Sequence, residues 1–444
     1  MLDRAVPAFP VTHQTAVARL ASRAASFVPA LVLLDPLLIW PLLYAEQLAK
    51  RVSIISSGAD HTSYLLHKVW FPPLLVLVVL LFALTSPQKA NLRLRQISFW
   101  VIGFLWAGLS VVWAIEPSIS ANRLILQIII AATLWFAFMT ADDRKRILDA
   151  VFWVMVVTAI VNLASVLTQV PGPLGYEGIY EHKNNLGAFA TLTLLIAALK
   201  FPDAGRVTRW ACFALIPVCL VLLVLSQSKT SAGLLPLSLA LGAAAILLNR
   251  LVYLSVALFP ILLVLVAALI IVILDATVNI DGWDIAQLVT GDATFTGRTD
   301  IWNYALRYIS DQPFMGYGFR SFWDIGASSP SREMGLGFVA TTTHGHNGYI
   351  DILLNGGLIA LFLFVPVLWI GLQACGRIAQ RHIAKSMACA SLLLFFIFYN
   401  LLETSFFYGA HTVFVLFQII WLHIIFTQKE EAQPLPLIQV RIDR

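Results

Sequence analysis

Stretches of about twenty residues almost free of charge, the length a helix needs to cross a bilayer, recur from one end of this sequence to the other. In hydrocarbon every backbone N–H and C=O must be satisfied within the segment, so unpatterned apolar runs of this length are stable only as helices. Twelve spans are expected, at 27–45, 66–85, 97–115, 119–140, 147–169, 184–200, 210–226, 231–249, 251–274, 348–371, 386–403 and 410–427. With 59% hydrophobic and 12% charged residues, the chain could not clothe a soluble surface. The fold class is therefore all-α, a polytopic integral membrane protein. Residues 27–427 form the transmembrane domain, including a large outer loop at 275–347, and residues 1–26 and 428–444 are read as cytoplasmic tails.

Charge sets the orientation. Taking the N-terminus as inside, nineteen of the 29 Lys and Arg fall on inner segments, among them Arg144, Lys145, Arg146, Arg377, Arg381 and Lys385. Both termini are then cytoplasmic. Residues 1–26 lack a small-residue cleavage pattern and are read as a tail, not as a signal peptide. The remaining ten cations, including Arg123, Lys183, Lys229, Arg298 and Arg320, face outward against the rule, and an anionic ligand there would account for them. Snorkelling to lipid headgroups is the competing account. The four cysteines lie in spans or at their inner ends, so the outer loop carries neither disulfide nor Cys-type metal motif.

The ninth span opens into the loop 275–347, which ends Thr-His-Gly-His-Asn. A long aqueous segment in a chain otherwise lying in lipid is where chemistry is expected. After Thr-Gly-Arg-Thr at 296–299, the spacing of Ile301, Trp302, Ala305, Leu306 and Ile309 predicts a helix on the membrane face, capped by Thr299 and stopped by Pro313. The turn at 313–320 could then bring Arg320 near Arg298. His344 and His346 alternate, so in an extended segment they point oppositely. No zinc-type spacing or Asp-x-Asp pair appears on the outer side, so no metal is expected, and a general base suits an imidazole better.

Polar residues inside spans usually face a cavity or a bundle interior. Asp351 and Asn355 share one helix face beneath His346, and Asn400 and Glu403 lie near the outer end of the eleventh span. Interhelical hydrogen bonding and substrate contact remain alternatives for each. His182 and Lys183 sit beside the free amides opening the sixth span, and Ser-Gln-Ser-Lys-Thr at 226–230 puts Lys229 at the bundle mouth. Convergence of Lys183, Lys229, Arg298 and Arg320 would suit a diphosphate.

Together these segments resemble the O-antigen ligase and Wzy-type polymerase superfamily of bacterial envelope glycosyltransferases, over most of the chain after about residue 100. The resemblance rests on Trp113 to Pro117 with Arg123, His182-Lys183-Asn184 with Gly187, Ser226–Thr230, Thr296–Thr299 with Trp302, Pro313 to Gly318, and His344–Asn347, taken in that order. Three positions depart from the family pattern. Lys229 stands where many relatives have Arg, Ala360 replaces the second glycine of the Gly-x-x-Gly that follows His-Asn, and Asn355 stands where many have Glu. The wording around Asn347 to Gly357 is closer to exopolysaccharide polymerases of the succinoglycan type.

The resemblance implies metal-independent, inverting glycosyl transfer at the periplasmic face of the bacterial inner membrane, with no cofactor. Its substrates would be an undecaprenyl-diphosphate-linked oligosaccharide and an acceptor glycan, with membrane lipids around it and chain-length-regulating and export proteins as further partners. No nucleic acid is expected. In that scheme His346 is the general base and Arg298 the principal diphosphate ligand, with Lys229, Arg320, Arg123, Lys183, His344, Asp351 and Glu403 around the substrate. An O-antigen ligase would differ only in using lipid A-core as acceptor. A transporter is the reading from another class, and the lack of an internal repeat counts against it.

Overall fold

The computed structural model describes residues 16–43, 61–85, 94–172, 175–278, 297–335 and 337–432. Most of both expected tails and residues 279–296 of the expected loop, Thr296 included, lie outside the described residues.

Among the described residues thirteen helices of ten residues or more organise the chain: α1 (Ala16–Leu43), α2 (His61–Ala83), α3 (Leu94–Ser110), α4 (Pro117–Thr140), α5 (Arg144–Thr168), α6 (Lys183–Lys200), α7 (Arg206–Ser226), α8 (Lys229–Val252), α9 (Phe259–Val278), α10 (Arg298–Asp311), α11 (Gly348–Ile378), α12 (Ile383–Leu402) and α13 (Thr412–Ala432). No strand occurs among the described residues. Among the described residues ten helical segments are long and apolar enough to cross a membrane, and two shorter apolar ones, Ile97–Trp113 and Thr412–Gln428, overlap the third and twelfth expected spans.

The centre of the bundle is α6, α8, α11, α12 and α13, whose side chains are buried among one another. α8 lies along α12 at close range because Gly242 has no side chain, and a Cβ there would meet the Ser391 backbone nitrogen at 2.6 Å. α11 packs against α3 on one flank and α12 on the other. α12 in turn packs against α6 and α8.

One expected span is not continuous. α11 breaks at Gly356 (φ −149°, ψ 16°) and Gly357 (φ 65°, ψ −165°), a feature hydropathy does not register. A broken membrane helix must satisfy its freed backbone groups elsewhere. Here the segment 313–317 fills the gap: Tyr317 N–H donates to Leu354 C=O (2.7 Å) and Leu358 N–H to Pro313 C=O (2.8 Å). The Trp106 indole donates to Gly356 C=O (2.9 Å). The Pro-Phe-Met-Gly-Tyr-Gly stretch is therefore a plug for α11, beyond the simple turn its composition predicts.

α10 follows its expected bounds, but its cap is Gly297 (φ 79°), not Thr299. Part of its apolar face is turned into the protein. Ile301 and Ala305 are wholly buried against Phe322, Trp323, Val339 and Leu354 in a small core of their own, while Leu306 stays exposed. Full burial of a side chain such as Ile301 is worth about 1.5–3 kcal/mol, enough to fix the helix that carries Arg298.

Candidate active site

The carboxylate of Glu403 joins residues from four helices. Its Oε1 accepts from Arg298 Nη2 (2.5 Å), at the start of α10, and from Asn184 Nδ2 (2.6 Å), in the first turn of α6. Its Oε2 lies 3.4 Å from Nδ1 of His346, just before α11. Glu403 itself follows the last residue of α12. The carboxylate is only 7% exposed and Arg298 14%, so the pair is held largely away from water. Proximity of Nδ1 to a carboxylate favours the tautomer with its hydrogen on Nδ1, leaving Nε2 free to accept a proton.

Each partner is positioned by local structure. Asn347 caps α11 through Oδ1, accepting from Tyr349 and Ile350 N–H, while its Nδ2 donates to Leu401 C=O. Asn400 holds the turn after α12, its Oδ1 accepting from the N–H of Ser405 and Phe406. His182 is the N-cap of α6, its Nδ1 accepting from Asn184 N–H (3.2 Å). Burial lowers the His182 pKa, and the Glu403 charge opposes that shift.

The two histidines do not point apart. His346 has φ 47°, the left-handed region, which breaks strand-like alternation and brings the rings of His344 and His346 to 4.1 Å between centroids. Burial holds the His344 imidazole well below its ordinary pKa, and the neighbouring His346, His411 and Arg298 add to the effect. His344, His346 and Glu403 thus present three potential metal-ligand atoms within 4.8 Å of one another. Linear spacing could not display this set.

Asp351 lies beneath this cluster and is occupied by the protein. It accepts from the Trp323 indole (2.8 Å), from Gly345 N–H at both oxygens (3.1 Å each) and from the Thr404 hydroxyl (2.7 Å). The Thr404 oxygen also accepts from Asn347 N–H. Asp351 therefore ties together the residues adjoining His346 and Glu403, the hydrogen-bonding role that the sequence held open beside substrate contact. Arg123 has a comparable part. Its guanidinium donates to the carbonyls of Arg320, Trp323 and Asp324 and pairs with the Asp324 carboxylate at 3.5 Å, so it staples the loop.

The cations expected on the outer side make two sets of contacts. Arg298 and Lys183 stand by Glu403 and Asn184; Lys183 Nζ donates to Gln227 C=O (3.4 Å), in the two-residue turn before Lys229 opens α8. Arg320 engages a different neighbourhood. It lies 4.0 Å over the Tyr408 ring, and its N–H donates to Asn355 Oδ1. Arg123, Arg320, Asn355 and Tyr408 line a small polar pocket. Asn355 is shared with an apolar groove between α3 and α11, walled by Trp100, Trp106, Ala360, Phe364 and Phe407. Trp323, Thr404 and Tyr408 carried no signal in the sequence beyond their residue type.

Residues 213–365 match the family model described as O-antigen ligase, Wzy_C. Over these residues the chain is similar to the O-antigen ligase (Wzy_C) family. It is 26% identical over 291 residues to the exopolysaccharide production protein ExoQ of Rhizobium meliloti (strain 1021), covering 61% of this chain and 63% of that protein. Over 181 residues it is 29% identical to a protein of Rickettsia bellii (strain RML369-C) named "Putative polysaccharide ligase", covering 40% of this chain and 44% of that protein. The chain thus spans less than two thirds of the length of either relative. The Wzy_C match includes Lys229, Arg298, Arg320, His344, His346 and Asp351; Lys183 and Glu403 lie outside it.

Proposed function

We propose that this chain is a membrane-embedded glycosyltransferase that polymerises lipid-linked oligosaccharide repeat units into an exopolysaccharide at the periplasmic face of the inner membrane. The observation that carries the reading is the Glu403 hub, which orients an imidazole and holds a guanidinium beside it at one end of a helical bundle. His346 Nε2 takes the proton of an acceptor sugar hydroxyl as that oxygen bonds to the donor's anomeric carbon. The carbon's bond to the diphosphate oxygen breaks, and undecaprenyl diphosphate leaves with both bonding electrons. Donors fixed in advance stabilise this growing charge with no cost of reorganisation. Arg298 has five N–H donors, so engaging Glu403 leaves others for phosphate.

The groove between α3 and α11 supports a lipid-linked donor. It is apolar along its walls and ends at Asn355, whose Oδ1 accepts from the backbone of Arg320. A polyprenyl tail in the groove would place its phosphates by Arg320, while Lys183, which donates to Gln227 C=O, and Lys229, two residues beyond Gln227, would supply a second cationic patch. Two such patches suit a reaction in which donor and acceptor both carry a diphosphate. The likeness to ExoQ points the same way, while the Rickettsia relative's name favours a ligase as the second reading.

The test is deletion of the gene in its host, with complementation by wild type and by His346→Ala, followed by analysis of secreted polysaccharide, lipopolysaccharide and lipid-linked repeats. Loss of exopolysaccharide with accumulated lipid-linked repeats and intact lipopolysaccharide is expected for the deletion and for His346→Ala. Loss of O-antigen alone would select the ligase. Wild-type polymer from His346→Ala would rule out the general base.

A further inference from the structure

We propose that His344, His346 and Glu403 form a binding site for a borderline divalent cation, zinc above all, and that a bound ion silences transfer. Two imidazole nitrogens and one carboxylate oxygen are a donor set that zinc accepts with a fourth position open, whereas magnesium and calcium prefer oxygen ligands throughout. The geometry is close to formed. Zinc bonds of about 2.0–2.1 Å in tetrahedral array set neighbouring ligand atoms roughly 3.4 Å apart, and His346 Nδ1 lies 3.4 Å from Glu403 Oε2. The His344 ring is already against that of His346, and its Nδ1 is buried with no hydrogen-bond partner.

The hub need not be dismantled to admit the ion. Arg298 and Asn184 both hold Oε1, so Oε2 can bind the metal while Arg298 orients the carboxylate from the far side. Arg298 and Lys183 also add positive potential, which opposes a second cation and keeps binding reversible.

The inhibitory consequence follows from imidazole chemistry and rests on His346 being the base. A neutral imidazole carries one hydrogen. Bound to metal through Nδ1, the ring of His346 must carry that hydrogen on Nε2, which then donates where it has to accept. The acceptor sugar's proton has nowhere to go, and transfer stops.

The experiment uses the full chain in lipid nanodiscs. Zinc binding is measured by competition with a chromophoric chelator, cobalt(II) absorption serves as a second probe on unmutated protein, and turnover is followed in the same samples. We expect one ion per chain and a tetrahedral cobalt spectrum. Binding should weaken about tenfold or more in both His344→Ala and Glu403→Gln, and Asp143→Asn, at the opposite end of the bundle, should bind as wild type. Zinc should stop turnover and EDTA restore it. Absence of stoichiometric binding and of a cobalt spectrum, or binding indifferent to both ligand variants, overturns the site. Stoichiometric binding with undiminished turnover keeps the site and instead sinks the assignment of His346 as base.

Discussion

Glu403→Gln isolates the hub with little change of shape. The amide offers one acceptor oxygen and one NH₂ in place of two equivalent oxygens. Oε1 faces two donors, the Arg298 guanidinium and the Asn184 amide, so the carbonyl oxygen of Gln must take that position. The NH₂ then faces His346 Nδ1 and donates to it, which forces the ring hydrogen onto Nε2. An orienting carboxylate made into an amide costs about 10⁴ in kcat in a hydrolytic triad, through the same wrong tautomer. Because the hydrogen bond here is long, 3.4 Å, we expect a loss of about 10³–10⁴ in kcat with donor affinity nearly unchanged. The stability cost should be about 1–3 kcal/mol, since Arg298 keeps an acceptor but loses a charge. Turnover of purified variant on a lipid-linked repeat, alongside thermal unfolding in detergent, reads both. A variant that folds normally and retains more than about a tenth of wild-type kcat would refute the tautomer argument.

Arg298→Lys should lower kcat by about 10²-fold, because one ammonium cannot serve Glu403 and a phosphate with forked geometry; full activity would reduce Arg298 to a point charge. Asp351→Asn leaves the Trp323 indole or the Thr404 hydroxyl without its acceptor, since Gly345 N–H reaches both oxygens, and should cost about 1–3 kcal/mol in thermal unfolding, with kcat reduced and donor affinity retained. Gly357→Ala puts a Cβ at 2.1 Å from the Phe314 carbonyl at a φ of 65°, so the protein should fail to accumulate as a monodisperse peak in fluorescence-detected chromatography. A Lys183→Gln, Lys229→Gln double variant should weaken binding of a diphosphate-bearing acceptor about tenfold or more while sparing one without phosphate; equal effects on both would dissolve the second cationic patch.

The membrane helices were legible because each is a self-contained signal: some twenty apolar residues need no distant partner to declare themselves. The break in α11 was not. Gly356-Gly357 sits inside an apolar run, and only the plug at 313–317, folded back against it, makes that backbone tolerable. The same limit applies at the site. His346 and Arg298 were singled out by residue type and place in the loop, but Glu403 is 57 residues from one, 105 from the other and 219 from Asn184, so spacing could not reveal the hub. The opposed orientation expected of His344 and His346 failed because it assumed an extended backbone, and His346 is left-handed. For Arg123 and Asp351 the sequence left hydrogen bonding and substrate contact as alternatives, because residue type and place do not say which of the protein's own carbonyls and N–H groups will reach them.

What lies beneath the site bears on whether it is a place of reaction or the mouth of a passage. A conduit for a polar solute needs polar groups continuing through the bundle. Below Glu403 and Asn400 the described helices instead close on aromatic rings: Phe406 meets Phe417 at 5.4 Å between centroids, Phe396 meets Phe417 at 5.5 Å, and Trp100 meets Trp421 at 5.9 Å. Phe396, Phe414 and Phe417 are completely buried in this layer. The groove between α3 and α11 is apolar, which fits the tail of an amphiphile and not a hydrated sugar. Polar side chains at one end, an aromatic layer and an apolar groove suit, in the proposed reading, a sugar held at the surface with its carrier's tail in the groove. That division of one substrate between two solvents is what a transferase of lipid-linked glycans needs and what a flippase would have to abolish.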